Sequence, residues 1–577
     1  MMLSMLFAFG AAANAIPAKK LQKVITLTNG TQVSVELRGD EYLSWWEGTD
    51  GTAYRATADD TVFEAFDLEA QKPAAAARRA RAEQGRVARL ARVKNSLKGA
   101  DDKMRGLGGD HITYKGVKKG LVVLVDFKNK KFADGHDLEY YKNVINGKDF
   151  SDEEEGYVGS VRDYFLAQSN GQFELDFDVV GPVTMSNNYG YYGGDGAYQK
   201  DEKVYEMIKE ACDGIQDKVN LKDYDWDGDG EADQVFFLYA GLGQASGGSA
   251  GTIWPHESEL RYWPCGVLSY STGKINTYAC ANELQPETQG SSRYISAGIG
   301  TICHEFSHCL GFADMYDTTG GGGYGMSVFD VMDQGSYNGN GFVPCNYTAF
   351  ERIYAGWVEP IELIDPATVK DMKSVSDYGR PFIMYNYKNT NEYFLMENRQ
   401  NTGWDEGLYG SNGLLIVHVN YVPSRWANNS VNSSAEKIQC CTVVNADGSR
   451  ENTQYSLQGD LYPYEVKGVT MNDEFTDESE PAAKLYTKNS DNSYALGIPI
   501  TNIKRSKGSV SFLVCGGDAN NVIDNTFNGV VDGINGVTVA KKATDNRIYS
   551  IDGRYLGTDA SALGKGIYVV GGKKIVK

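Results

Sequence analysis

The sequence predicts a mixed α/β unit over residues 109–360, with a small strand-rich unit before it and a β-rich unit after it. Three observations lead there. Two apolar runs, GLVVLVDF from Gly120 and QVFFLYAG from Gln234, read as buried strands, while residues 157–169, 201–217 and 296–310 keep helical spacing. Beyond about residue 360 the helical periodicity gives way to short runs between turns: FIMYNY, EYFLME, LLIVHVNY, ITNI and SVSFLVC. Finally, 577 residues are too many for one core. At roughly 100–200 residues per domain, three or four units are expected.

The chain opens on an apolar run, Leu3 to Ala13, too short to span a bilayer, and Ala13-Asn14-Ala15 fits a signal-peptide cleavage site, so residues 1–15 are expected to be a signal peptide. No Lys or Arg precedes the run, which is unusual for such a segment. Residues 16–108 form the next expected unit. VITLTNGTQVSVEL carries an Asn29-Gly30 turn between alternating runs, a hairpin pattern. Residues 73–105 are rich in Ala and Arg and read as a basic spacer, helical or flexible, that joins a propeptide to the 109–360 unit and is open to proteolysis. Within the 109–360 unit, QFELDFDVVGPVTM reads as a strand pair and residues 345–357 as the last helix. Residues 361–517 form a β-sandwich-type unit, and residues 518–577 a Gly/Asn/Asp linker followed by hairpin-like strands.

Composition narrows the function classes. A net charge of −20 argues against a nucleic-acid partner and favours cation binding. No later segment offers the ~18 apolar residues of a membrane helix. Nine cysteines are scattered without a CxxC pair; Cys265 and Cys280 are candidates for a short disulfide loop, with free buried thiols as the alternative.

The most informative segment runs from Thr301 to Asp314, TICHEFSHCLGFAD. Ile299, Ile302, Cys303, Phe306 and Leu310 keep helical spacing, so one face is buried. His304 and His308 lie one turn apart on a shared face and suit a tetrahedral zinc ion. Glu305 beside the first ligand is placed to move a proton from water to a leaving amine. Gly311 fits a helix stop, after which Asp314 can return to the metal as third ligand, with Asp317 a weaker candidate. Glu351, on the 345–357 helix, is the thermolysin-like alternative. Met332, in FDVMDQGSY, is expected to form a floor beneath the metal, and Tyr337 is a candidate oxyanion donor.

At this point the chain resembles the immune inhibitor A family of secreted bacterial metallopeptidases. The likeness rests on His304-Glu305-x-x-His308-x-x-Gly311-x-x-Asp314, with SVRDYFLAQSNGQF, IWPHES, YFLMENRQ and GLLIVHVN around it. The resemblance implies a metzincin-like catalytic domain, a propeptide, a β-rich C-terminal domain, Asp314 in place of a third His, and endopeptidase activity on proteins. The last 30 residues resemble the sorting tails of secreted or surface-attached bacterial proteins. A surface adhesin with a degenerate peptidase unit is the rival outside enzymes, and the intact Glu305 argues against it.

Four features remain. Asp225, Asp227 and Asp229 alternate before Gly230 in the manner of a calcium loop; the closing Glu is missing, since Phe236 stands there, and Asp233 would have to complete the shell. His256 either lines the cleft or is a satisfied core residue, and His418 reads as structural. The glycine run at 320–325 reads as a mobile loop near the cleft. No Cys lies between residues 16 and 211, so latency cannot use a propeptide thiol; Asp40 or Glu41 in RGDEY is expected to cover the zinc instead, making the propeptide an inhibitor of its own enzyme.

Overall fold

The computed structural model describes residues 13–14, 16–57, 61–96, 114–195, 200–288, 291–319, 323–408, 411–433, 438–450, 456–527 and 529, with strands at 548–550, 555–557, 567–570 and 573–576. Among these, no helix is long and apolar enough to cross a membrane. The expected signal peptide lies outside the described residues except for positions 13 and 14, as do residues 320–322 of the glycine run.

The centre is a seven-stranded sheet. Gly116–Asp126 pairs in parallel with Phe173–Thr184 on one side and Val235–Leu242 on the other, which in turn pairs in parallel with Thr277–Pro286. Parallel strands need cover on both faces, which is why their apolar residues run on without alternation. Val122, Leu124, Phe236 and Leu238 enter one core cluster; Leu121, Val123, Val125, Val235 and Phe237 enter another. The first cluster holds the helices Leu138–Asn146, Val161–Gln168 and Gly300–Cys309, and the second holds Val204–Ile215. Ser160 starts its helix with a capping box closed by Asp163. The segment expected as a strand pair is one twelve-residue strand, Phe173–Thr184. Gly181 and Pro182 do not end it, because Val183 and Thr184 still pair with Val125 and Asp126 after a register shift.

The sheet ends in the short strand His256–Glu259, antiparallel to Thr277–Pro286. Its outer edge is taken by Ala13–Asn14, also antiparallel, with Ala13 opposite Ser258 and Asn14 opposite Glu257.

Residues 22–65 form a five-stranded meander. Its first hairpin turns at Gly30, whose φ of 83° is the left-handed conformation such a turn requires. The Ala/Arg-rich stretch is helical over Leu68–Ser96. It is docked: Arg79 pairs with Asp40 at 2.5 Å, and the buried Arg86 donates to the carbonyls of Gly311 and Phe312, each at 2.9 Å.

Behind the central sheet and its helices, a five-stranded sheet (361–362, 382–385, 392–399, 413–420, 441–443) and a four-stranded sheet (367–372, 500–506, 509–514, 522–523) share a core. Phe382, Met384, Phe394, Met396, Leu414 and Ile416 meet Val369, Phe512 and Val514 there. The opposite face of the five-stranded sheet, with Ile383, Tyr385, Leu395, Leu415 and Val417, joins the cluster that contains the Gly300–Cys309 helix. The described part of the C-terminal tail is a small antiparallel sheet, as its hairpin-like pattern anticipates.

Candidate active site

Every residue of the Gly300–Cys309 helix is buried. It ends as Gly311 predicts. Gly311 has a φ of 87°, its N–H donates to His308 O at 3.0 Å, and Phe312 N–H donates to Ser307 O at 3.2 Å. This pair of bonds is a Schellman cap. It reverses the chain, so that Asp314 comes back beneath the helix.

His304, His308 and Asp314 then offer ligand atoms within 4.8 Å of one another. Asp314 Oδ1 lies 3.2 Å from His304 Nε2 and 3.4 Å from His308 Nε2. The other ring nitrogens are committed: His304 Nδ1 donates to Val331 O at 2.8 Å and His308 Nδ1 to Phe312 O at 3.0 Å. In its neutral form each ring therefore carries its hydrogen on Nδ1 and turns an Nε2 lone pair toward Asp314. His304 Nε2 and Asp314 Oδ1 are buried without a hydrogen-bond partner. Such atoms are costly to leave unsatisfied, and two His with one carboxylate form the donor set of a zinc centre with an open position. The residues fit the metal. Burial by itself raises the Asp314 carboxyl, but the two histidines facing it carry the net effect well below the ordinary carboxylate range; burial lowers His308.

Asn429 grips Asp314 from the rear sheet unit. Its Oδ1 accepts from Asp314 N–H at 2.6 Å and its Nδ2 donates to Asp314 Oδ2 at 2.5 Å. Met332 is fully buried in the same cluster, and its carbonyl accepts from Met315 N–H at 2.9 Å. It sits next to Val331, whose carbonyl holds His304.

Glu351 is not part of this group. Its carboxyl accepts from the Thr348 hydroxyl and faces Asp330, in a buried network with Glu397, so it is held away from the histidines. Asp317 is also used elsewhere, in a turn that binds Thr319 and Gly323 amides at 3.0 and 3.1 Å.

Glu305 is fully buried, and burial first, then the charges of Asp314 and Glu41, push its carboxyl well above the usual range. Its Oε1 accepts from the backbone N–H of Ile16 at 2.7 Å; Oε2 has no partner. The segment after Ile16 follows the cleft. Trp254 Nε1 donates to Ile16 O at 3.1 Å, the Tyr337 hydroxyl to Pro17 O at 2.8 Å, and Gln334 Nε2 to Ala18 O at 3.3 Å. Tyr337 is thus bound to a peptide carbonyl beside the centre.

Asp40 and Glu41 part company. Asp40 caps a turn at Tyr42 and Leu43 through Oδ1 and pairs with Arg79 through Oδ2. Glu41 is buried with an unpartnered Oε2, and burial, then Asp40 and Asp314, raise its carboxyl. His256 is a satisfied core residue, with Nδ1 2.7 Å from Trp254 O and Nε2 2.9 Å from the Tyr278 hydroxyl. His418 contacts Glu392 at 3.1 Å between the rings of Phe394 and Tyr486. Cys265 and Cys280 are separate thiols and form no disulfide loop.

Asp225, Asp227 and Asp229 also cluster within 4.8 Å. Asp225 accepts from the N–H groups of Gly228, Asp229 and Gly230 at 2.7, 3.1 and 2.9 Å. Asp233 accepts from Trp226 N–H; burial, and then the three neighbouring aspartates, push its carboxyl up to about 7.

Fold and site together define a metallopeptidase-type domain built around an HExxH helix. Residues 115–358 match the family model described as immune inhibitor A peptidase M6, catalytic domain. The chain is similar to the pre-pro-metalloprotease PrtV of Vibrio cholerae serotype O1, 28% identical over 269 residues, covering 39% of this chain and 28% of that protein. It is also similar to immune inhibitor A of Bacillus thuringiensis subsp. alesti, 27% identical over 319 residues, covering 46% and 45%. The chain thus carries an immune inhibitor A-like M6 peptidase domain, and it spans less than half the length of these relatives.

The ligand set is directly testable. After exhaustive dialysis against zinc-buffered solution, Asp314→Ala is expected to retain less than about a tenth of the parent's zinc, and Glu351→Ala to retain it all. Equal zinc in the parent and Asp314→Ala would remove Asp314 from the site.

Proposed function

We propose that the chain is a secreted zinc endopeptidase, made as a proenzyme, that hydrolyses peptide bonds in proteins. The observation that carries this reading is the 2.7 Å contact between Glu305 and the N–H of a peptide chain lying in the cleft beside His304, His308 and Asp314. The nitrogen of Ile16 occupies the place of a leaving amine. His304, His308 and Asp314 would hold the zinc, which would supply the Lewis acidity for activating water and polarising a carbonyl. Glu305 takes the proton released as water attacks, and passes it to the departing nitrogen. Trp254, Tyr337 and Gln334 hold successive carbonyls, keeping the chain extended along the cleft. In this reading the Tyr337 hydroxyl, which holds the Pro17 carbonyl here, donates to the developing oxyanion of a substrate. Met332 packs as the floor of the centre.

Residues 16–96 act as the inhibitory propeptide in this reading. Residues 16–18 fill the track a substrate would use, and Glu41, rather than Asp40, is the acidic residue that covers the centre. The Ala/Arg helix anchors the segment through Arg86 to the cap of the active-site helix. The apolar run and Ala13-Asn14-Ala15 support secretion, and the tail supports attachment at the cell surface. A binding protein without activity would have no use for a base contacting a peptide nitrogen. The loop of Asp225, Asp227, Asp229 and Asp233 is proposed as a structural calcium site, supported by its alternating carboxylates and by the raised carboxyl of Asp233, which a cation would relieve.

Three outcomes are expected. Glu305→Gln binds zinc like the parent and loses casein hydrolysis by about 10³-fold or more, since it removes the proton carrier; proteolysis at the parental rate would end the mechanism. Full-length chains with residues 16–20 replaced by glycine and serine, or with Glu41→Ala, hydrolyse a quenched fluorescent peptide at least about tenfold faster than the unprocessed parent, a loss of roughly 1.4 kcal/mol of blockade; unchanged latency in both would refute the inhibitory role. Millimolar calcium raises the melting temperature of the parent by a few degrees and leaves Asp227→Asn with Asp229→Asn unmoved; a parent indifferent to calcium would dismiss that site.

A further inference from the structure

The cleft does more than hold a backbone. Beyond the three clamped carbonyls, Lys19 turns its side chain into a pocket of the catalytic unit. Its ammonium lies 2.5 Å from Gln285 Oε1 and 2.5 Å from Asn340 Oδ1, and 5.7 Å from the centre of the Tyr337 ring. Its backbone N–H donates to Ala245 O at 3.0 Å, so the residue is fixed at both ends.

The pocket presents oxygen by construction. Gln285 Nε2 donates to Ser296 O at 3.1 Å and to Asn340 O at 2.5 Å. With both amide hydrogens spent on carbonyls, only its Oε1 can face the cleft. Asn340 adopts a φ of 58° between Gly339 and Gly341, both also in positive φ. That left-handed conformation, which Asn tolerates better than most residues, brings its side chain and its carbonyl into the same small space. The aromatic face adds attraction for a cation. Two acceptor oxygens and a π face suit an ammonium or guanidinium, and repel a carboxylate.

All three pocket residues belong to the catalytic unit, so the pocket outlasts the propeptide. Ala13–Asn14 adds antiparallel to the edge strand His256–Glu259, and the next residues pass Glu305 and the carbonyl clamps. The N-terminal segment therefore lies as an extended peptide ligand would, residues 13–14 by strand addition at a sheet edge and residues 16–19 along the carbonyl clamps. With the nitrogen of Ile16 at Glu305, Lys19 is the fourth residue after the bond that the centre faces.

We propose that Gln285, Asn340 and Tyr337 form a subsite for a basic side chain, so that the enzyme selects protein segments with Lys or Arg at the fourth position after the cleaved bond. The substrate half of this inference rests on the peptidase reading above; the pocket's preference for a cation does not.

The test uses both. In the full-length chain, hydrogen exchange of the Ala18 and Lys19 amides reports opening of the segment. Losing a charge-assisted contact, Lys19→Gln and Asn340→Gly each raise opening about tenfold or more, Lys19→Arg by less than about threefold, and Asn340→Asp slows it. Glycine at 340 keeps the left-handed backbone, so only the acceptor is removed. Naturally processed, zinc-loaded enzyme is then given two peptides that differ only in Lys or Gln at that position. The Lys peptide is cleaved with a kcat/KM at least about tenfold higher, and Asn340→Gly erases the difference. Exchange unaffected by Lys19→Gln, or equal cleavage of the two peptides, overturns the subsite. Altered exchange with neither peptide cleaved supports the pocket and overturns the peptidase reading instead.

Discussion

The architecture turns on one electrostatic constraint: three lone pairs must be buried together and aimed at a single point. An imidazole left to itself would rotate or take a proton. Here the far nitrogen of each ring is tied to a main-chain carbonyl, Val331 for His304 and Phe312 for His308. Phe312 is where it is because Gly311 closes the helix with a left-handed turn. Val331 is where it is because the loop carrying Met332 packs against the same helix and binds Met315. The sheet exists, in this view, as the platform that makes such a helix affordable in a buried position, with its Val-rich parallel strands covered on both faces.

A second constraint runs along the edge of that sheet. His256–Glu259 is a short edge strand, and an unpaired edge accepts another strand. The same property that makes such an edge an aggregation hazard makes it a recognition device for extended chain. Clamps on successive carbonyls of residues 16, 17 and 18 read no side chain at all. Any selectivity must come from the pockets on either side, of which the one around Lys19 is built from fixed acceptors.

The sequence made much of this legible where the signal is local. Apolar runs located the central strands, the spacing of Ile302, Cys303, Phe306 and Leu310 located the helix, and Gly311 located its end. The choice of Asp314 as partner of the two histidines leans mostly on the family resemblance; the structure brings their ligand atoms within 4.8 Å of one another. What stayed hidden was either carried by the main chain or came from far along it. The Val331 carbonyl has no residue-type signature. Asn429 lies 115 positions from Asp314, in an Asn/Ser-rich stretch that reads as ordinary loop. Composition could not separate Asp40 from Glu41, because the pairing of Asp40 depends on Arg79 reaching back from the docked helix. Glu351 was a fair rival by residue type, and only its burial beside Asp330 and Thr348 removes it. Phe173–Thr184 misled because Gly-Pro usually ends a strand, whereas here a register shift absorbs the pair.

Asn429 has a wider bearing. It belongs to the rear sheet unit, yet it binds both the main chain and the side chain of Asp314, a candidate metal ligand. Nearby, Ser433 meets Thr318, Asn432 meets Met315 and Thr442 meets Gly325, so described residues on both sides of the glycine run are tied to that unit. The rear sheets are therefore not interchangeable cargo. A lineage that exchanged them for another module would have to supply an amide at the same point in space, or lose the contacts that hold the Asp314 carboxylate. Recombination at this seam is constrained by chemistry at the centre, and the two units on either side of it inherit each other's history.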